Sequence, residues 1–137
     1  MQISPYLSFN GCCAEAFAFY AKALGGSVTH SQTFGESPMK DDVPADWQHK
    51  IMHATLVVGS QILYGADPPS AHYRTPQGFS VSIGLTSPDE GERVFSALAE
   101  GGNVQMPFSK TFWSPGFGMV VDRFGIAWMV NCDVAAA

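Results

Sequence analysis

Between Asn10 and Gly25 the apolar residues Ala14, Phe17, Ala18, Ala21 and Leu24 recur at helical spacing. That pattern predicts a helix capped by Asn10 and stopped by Gly25-Gly26. A second helix is predicted from Ser87-Pro88-Asp89-Glu90, a capping-box pattern with proline at the first helical position. It turns Val94, Phe95 and Leu98 inward and stops at Gly101-Gly102. In FSVSIGL, Phe79, Val81, Ile83 and Leu85 alternate with Ser80, Ser82 and Gly84, which predicts a strand with one face in the core. The small, polar opposite face fits a strand lining a hollow and fits a plain solvent face equally well. QHKIMHATLVVG alternates and becomes β-branched toward its end, so it also reads as a strand. The proline-bearing stretches Ser37 to Asp46 and Asp67 to Gly78 are predicted loops, either mere connections or flaps of the length that often carries function.

These elements repeat. LGGSVTHSQTFG from Leu24 is echoed by EGGNVQMPFSKTFW from Glu100, and GSQILYGAD from Gly59 by GIAWMVNCD from Gly125. Each half therefore runs strand, helix, Gly-Gly, strand, loop, strand, turn, strand, which predicts an α+β chain of two tandem βαβββ modules. The expected division is residues 1–67, a joining loop at 68–78, and residues 79–137, within one structural domain overall.

A chain of 137 residues can bury about two-thirds of its extended surface. With 46% hydrophobic and 14% charged residues it is not a disordered polymer. The net charge is −5 and the seven Lys and Arg are scattered singly, so no basic stripe exists for nucleic acid or a membrane surface. The start, MQISPYLSFNGCC, has neither the basic nor the long apolar region of a signal peptide. No run of about 18 apolar residues could span a bilayer. A cytoplasmic location is the expectation, and only Ala135 to Ala137 looks tail-like. Three cysteines, two of them adjacent at Cys12 and Cys13, make a poor disulfide framework. Reduced thiols are expected, either packed or, at a helix start that could lower a thiol pKa, reactive.

The stretches YLSFNGCCAEAFAFYAKALGG (Tyr6 to Gly26) and TFWSPGFGMVVDRFGIAWMVN (Thr111 to Asn131) resemble the PhnB-like branch of the vicinal-oxygen-chelate superfamily, the group of glyoxalase I, fosfomycin-resistance proteins and extradiol dioxygenases. The resemblance implies a glyoxalase-like fold: two units paired into a cupped eight-stranded mixed sheet, in a homodimer with a pocket in each cup. By the same analogy Asp122-Arg123-Phe124-Gly125 is the turn between the last two strands, with Gly125 available for positive φ. Phe112, Trp113 and Phe117 would flank the pocket mouth or the dimer contact.

Metal-using members of that superfamily place His, Gln or Glu at four strand positions, which carry over here to Pro5, His53, Ser82 and Met129. Proline has no ligating side chain, a neutral serine hydroxyl is a poor ligand, and a thioether is soft for Ni, Zn, Mn or Fe in such sites. Only His53 can bind well, so no metal and no cofactor are expected. Sliding the fifth strand by one residue leaves this unchanged, because Phe79 to Leu85 contains no acid or histidine. His49 and His53, four residues apart on a strand, are separated by roughly 13 Å. They cannot share one ion with bonds of about 2 Å. His30 and His72 are isolated in sequence and read as surface or loop residues.

No G-x-S-x-G elbow and no phosphate-loop motif is present. The methyltransferase label attached to some PhnB-like sequences is rejected, since no glycine-rich strand-to-helix turn of a parallel nucleotide fold is visible. His53 could serve as a base, but it has no visible partner. Glu15, Glu36, Glu90, Glu92 and Glu100 fall on helices or loops, and Arg74 stands alone in the joining loop. The preferred reading is a homodimeric protein binding a small apolar or aromatic molecule in a metal-free pocket, with His53, Ser82, Phe112, Trp113 and Met129 as candidate lining. The alternative is a divalent-metal-dependent lyase, isomerase or dioxygenase-type enzyme whose metal is completed by the partner subunit or by other residues. A third reading has the hollow filled by side chains and a second copy of the chain as the only partner. No catalytic residue is assigned.

Overall fold

The computed structural model describes residues 1–134; the tail-like Ala135 to Ala137 lies outside the described residues. The chain forms two compact units, Met1–Thr75 and the segment from Pro76 onward. Each is a four-stranded sheet with one long helix. Among the described residues no helix is long and apolar enough to cross a membrane.

In the first unit β1 (Tyr6–Ser8), α1 (Cys13–Leu24), β2 (Ser27–Thr33), β3 (Ile51–Val58) and β4 (Gln61–Ala66) follow in order. The sheet runs β1-β4-β3-β2, with β1 parallel to β4 and the other pairs antiparallel. α1 buries Cys13, Ala16, Phe17, Tyr20 and Ala23. This stripe shares only Phe17 with the one predicted, and Ala14 and Ala18 are exposed. In an alanine-rich helix the small residues do not define a face, and the larger apolar bodies of Phe17 and Tyr20 decide it. Phe9, Phe17 and Tyr20 pack ring against ring, with Phe9 edge-on to Phe17 at 6.0 Å. Phe17 closes directly onto Gly65, where an added Cβ would lie 2.5 Å from its ring.

Asn10 does not cap α1. The cap position is Cys12, without a side-chain bond, and the helix start is held from the far end of the unit. The buried Asp67 carboxylate accepts from Gly11 N and Cys13 N through Oδ1 and from Ile51 N through Oδ2, each at 3.0 Å. The segment predicted as a loop from Ser37 to Asp46 holds a 3-10 turn at Lys40–Asp42 and the start of another at Ala45–Trp47, and just before it the turn Phe34–Glu36 is set by a reciprocal Thr33–Glu36 cap. β3 begins only at Ile51, leaving His49 exposed in the turn before it.

The second unit contains β5 (Val81–Leu85), α2 (Pro88–Ala99), β6 (Asn103–Ser109), β7 (Gly116–Val121) and β8 (Ala127–Cys132), in the sheet order β5-β8-β7-β6. α2 packs as predicted, burying Val94, Phe95 and Leu98. Ser87 accepts from Glu90 N at 3.2 Å, while the Glu90 carboxylate pairs with Arg93. Gly25 and Gly101, at the two helix ends, take left-handed φ of 72° and 73°, a conformation that disfavours any Cβ. Val81, Ile83 and Leu85 alternate with the exposed Ser82 and Gly84 as expected, but Phe79 precedes the strand and is 51% exposed.

The two βαβββ halves echo one another with a slip. Aligning Gly59 with Gly125 matches Leu63 to Met129, yet Leu63 is buried with Gly65 on the α1 side, while Trp128, Val130 and Cys132 are the buried set in β8. The first hairpin closes between Val58 and Gln61, the second between Val121 and Ala127, over a longer turn. A one-residue change in register exchanges the faces of a strand.

Candidate functional site

With α1 covering one face of the first sheet, the side chains of alternate positions stand on the other. There β1 contributes Tyr6, β2 His30, β3 His53 and Thr55, and β4 Tyr64. The strands YLS, SVTHSQT, IMHATLVV and QILYGA contain no Asp, Glu, Lys or Arg, and their titratable residues are Tyr6, His30, His53 and Tyr64. All four meet around His53. Its ring centroid lies 6.0 Å from that of Tyr6, 5.5 Å from Tyr64 and 5.9 Å from His30, and Tyr6 and Tyr64 are 6.2 Å apart. The ladders explain the gathering: Tyr6 is paired with Tyr64, Tyr64 with Thr55, Thr55 with His30, and His53 with Gln32.

Both imidazole nitrogens face hydroxyls. Tyr6 Oη is 3.4 Å from His53 Nδ1 and Thr55 Oγ1 is 3.5 Å from Nε2. Burial, with a smaller push from Cys13, raises the Tyr6 phenol above its ordinary value, so it keeps its proton at neutral pH. The cluster thus offers stacking surface, hydrogen-bond donors and acceptors and a titratable imidazole, with no full charge on the strands that carry it.

In the second unit Ser82 and Met129 are ladder partners on β5 and β8. The matching strands of the first unit, β1 and β4, carry Tyr6 and Tyr64 as partners. The resemblance put Pro5 and His53 in those roles, but Pro5 precedes β1 and His53 stands on β3. At these paired positions the first unit carries two phenols and the second a hydroxyl and a thioether, side chains of modest ligating power for divalent ions. Among the described residues no group of three or more His, Cys, Asp or Glu gathers to hold an ion.

Phe112 and Trp113 are on the turn between β6 and β7. Phe112 is 97% exposed and stacks edge-on with Trp113 at 4.8 Å, and Trp113 in turn with the buried Phe117 at 5.2 Å. The turn is rigidly tied. Ser114 Oγ lies 2.7 Å from Gly116 O and 2.6 Å from Cys132 O, and Thr111 Oγ1 accepts from Ser114 N at 3.1 Å. An open depression of about 440 Å³ beside these rings is lined by Pro88, Lys110, Phe112, Trp113, Pro115 and Asp133 among others, but by neither Ser82 nor Met129. The candidate lining residues of the second unit therefore fall into two places.

Asp122 is a turn residue. Buried, it accepts from Phe124 N at 2.8 Å, Ile126 N at 3.0 Å and Trp128 Nε1 at 2.8 Å, while Gly125 adopts φ 92°. Cys13 and Cys132 are buried and outside any disulfide. The positive helix end does not activate Cys13: burial first, then the neighbouring Asp67, drive its thiol pKa far up, leaving it protonated and inert.

Sequence reasoning found His53 and missed Tyr6, His30, Tyr64 and Asp67. For Tyr6, His30 and Tyr64 the available signal was parity: on strands paired as β1-β4-β3-β2 each falls on an alternate position, so they share a face once the register is known. Asp67, just past β4, is on neither strand nor open face and gave no such signal.

A family model described as 3-demethylubiquinone-9 3-methyltransferase matches residues 1–131. Protein YjdN of Escherichia coli K12 is 36% identical over 140 residues, covering 96% of this chain and 95% of YjdN. The crystal structure of protein PA1353 from Pseudomonas aeruginosa has 53% identity and a TM-score of 0.89, covering 98% of this chain and 99% of that one. A putative 3-demethylubiquinone-9 3-methyltransferase, PhnB protein, from Bacillus cereus has 21% identity and a TM-score of 0.80, over 96% and 99% of the two chains. The Bacillus likeness is one of fold.

Proposed function

From a chain that belongs to the family described as 3-demethylubiquinone-9 3-methyltransferase, the PhnB-like branch of the glyoxalase-fold superfamily, we propose a protein that binds a small planar molecule without a resident metal. The observation carrying this reading is the convergence of Tyr6, His30 and Tyr64 on His53, on a sheet face with no charged strand residue. Three tilted rings offer stacking surface worth about 0.5–1.5 kcal/mol per aromatic contact, and Tyr6, Thr55 and His53 supply polar groups that orient a ligand. Ser82 and Met129, and separately the Phe112–Trp113 wall, are the remaining lining candidates of the second unit. A homodimer is part of the proposal and rests on family resemblance.

Methyl transfer, which the family description names, is not part of the reading. The turn from β1 into α1 gives its amides to Asp67, and that from β5 into α2 is capped by Ser87. Neither is the open glycine-rich turn on which a parallel nucleotide fold holds its cofactor.

The test is thermal unfolding of chelator-treated protein with and without phenylpyruvate, a planar probe carrying a ring and a carbonyl. Saturation at ten times Kd should stabilise by about 1.4 kcal/mol, a rise of a few degrees in Tm that His53→Ala abolishes. One divalent ion per native chain, with probe binding lost on chelation, would sink the reading.

A further inference from the structure

Asn10 does not serve as the cap of α1, and its side chain is left with nothing to hold. It is exposed, and among the described residues its side-chain amide has no hydrogen-bond partner. Glycine follows it, the residue that least obstructs attack by its own backbone nitrogen on the preceding side-chain carbonyl. The fold requires that glycine. Gly11 sits at φ 88°, and a Cβ there would lie 3.3 Å from the side chains of both Lys50 and Trp47. The other asparagines lack this combination: Asn103 opens β6 ahead of the β-branched Val104, and Asn131 lies within β8 ahead of Cys132.

The nitrogen that would attack is one that Asp67 holds. Gly11 N donates to Asp67 Oδ1 at 3.0 Å and Lys50 Nζ donates to Gly11 O at 2.8 Å, so the glycine is tied on both sides. To attack, the nitrogen must give up its proton, and a carboxylate at that distance opposes the negative charge it would take on. Anchor and reaction compete for one N–H.

We propose that Asn10–Gly11 is a site of self-modification whose rate is set by the Asp67 anchor of α1. When the anchor opens, a bond forms between Gly11 N and Asn10 Cγ and the Cγ–Nδ2 bond breaks. The departing Nδ2 takes the Gly11 proton and leaves as ammonia, and a five-membered imide remains. Water opens the imide at either carbonyl, giving aspartate or isoaspartate, so no oxidant, reductant or other co-reactant is needed. The imide nitrogen carries no hydrogen, and Asp67 loses one of its three donors. Isoaspartate routes the main chain through an added methylene between Phe9 and Gly11, next to the bond from Phe9 N to Ala66 O at 3.0 Å. Conversion thus loosens the start of α1.

The experiment incubates the native chain, and the chain unfolded in guanidinium chloride, at mildly alkaline pH. Mass spectrometry follows the peptide containing Asn10, and chromatography separates its aspartate and isoaspartate forms. The expected result is conversion in the unfolded chain and conversion slower by about 10-fold to 100-fold in the native one, the range set by one hydrogen bond to a charged group. Hydrogen exchange at Gly11 N should be slowed to the same degree, since both processes wait for the same opening. Asp67→Ala should bring conversion back toward the unfolded rate, whereas Asp122→Ala, which removes the buried carboxylate of the second unit, leaves it near the native rate. If Asp67→Ala does not fold, the paired conversion and exchange rates of the native chain decide alone. An unmodified Asn10 in the unfolded chain overturns the site. Native conversion at the unfolded rate, conversion slowed far less than exchange at Gly11 N, or equal acceleration in Asp122→Ala overturns the role of the anchor.

Discussion

In the first unit the residue directly after the last strand, Asp67, is buried and holds the amides of Gly11, Cys13 and Ile51. In the second, the residue after the last strand, Asp133, is exposed and meets Asn131 Nδ2 at 3.2 Å, and the buried carboxylate is Asp122 in the final hairpin. The strand orders match, so topology does not explain the move. Orphaned amides do. α2 is capped locally by Ser87, leaving no demand for a distant acceptor, whereas α1 has no side-chain cap of its own. The first hairpin needs no side chain between Val58 and Gln61, whereas the longer second turn leaves Phe124 N and Ile126 N to be satisfied. A buried carboxylate is placed where the backbone runs short of acceptors.

The open faces diverge as well. The first sheet gathers two phenols and two imidazoles; the second has Ser82, Gly84 and Met129 at comparable places, and Cys132 as its strands' titratable side chain. The two sheets share a strand order, and the polar rings gather on the first.

Breaking the first anchor should cost most. Asp67→Ala leaves three amides from two distant segments without an acceptor, two of them buried, an expected loss of about 3–5 kcal/mol, measured as a fall in the urea midpoint. Asp122→Ala should cost less, about 2–4 kcal/mol, because its partners Phe124, Ile126 and Trp128 all lie in its own hairpin; a drop equal to or larger than that of Asp67→Ala would erase the contrast between the anchors.

The pH dependence sharpens it further. Burial raises the Asp67 pKa more than its three amide bonds and Lys50 lower it. Folding therefore favours the protonated carboxyl, and this contribution is full below the unfolded value of about 3.9 and lost as pH rises through the higher folded value. The stability gap between the native chain and Asp67→Asn should be widest near pH 4 and narrow toward pH 7, as read from urea midpoints across that range. Least affected is Asp133→Ala, the exposed counterpart, with an expected change within about 0.5 kcal/mol.

Much of the frame is legible in one dimension. The Gly25 and Gly101 stops, the Ser87 cap, the inward face of α2 and the doubled βαβββ order follow from spacing and from residues with special φ, and these are local properties; the turn at Asp122 to Gly125 came from the family resemblance. The Asn10 cap and the inward face of α1 were misread for one reason. Alanine and cysteine commit a helix to no face, and the acceptor for its first amides lies more than fifty residues away at Asp67. The inert state of Cys13 follows from its burial first and from the nearby Asp67 second.

His53 could be singled out because the family resemblance carried a ligand position onto it and it was the one good ligand type among the four. Its companions could not, since Tyr6, His30 and Tyr64 meet it only through ladder register, and alternation says that two residues of one strand share a face without saying which residue of another strand stands opposite. The sequence by itself determined periodicity, stops, turn chemistry and the scarcity of charge. Register and long-range hydrogen bonding, which depend on how distant segments close on each other, were decided only by the tertiary structure.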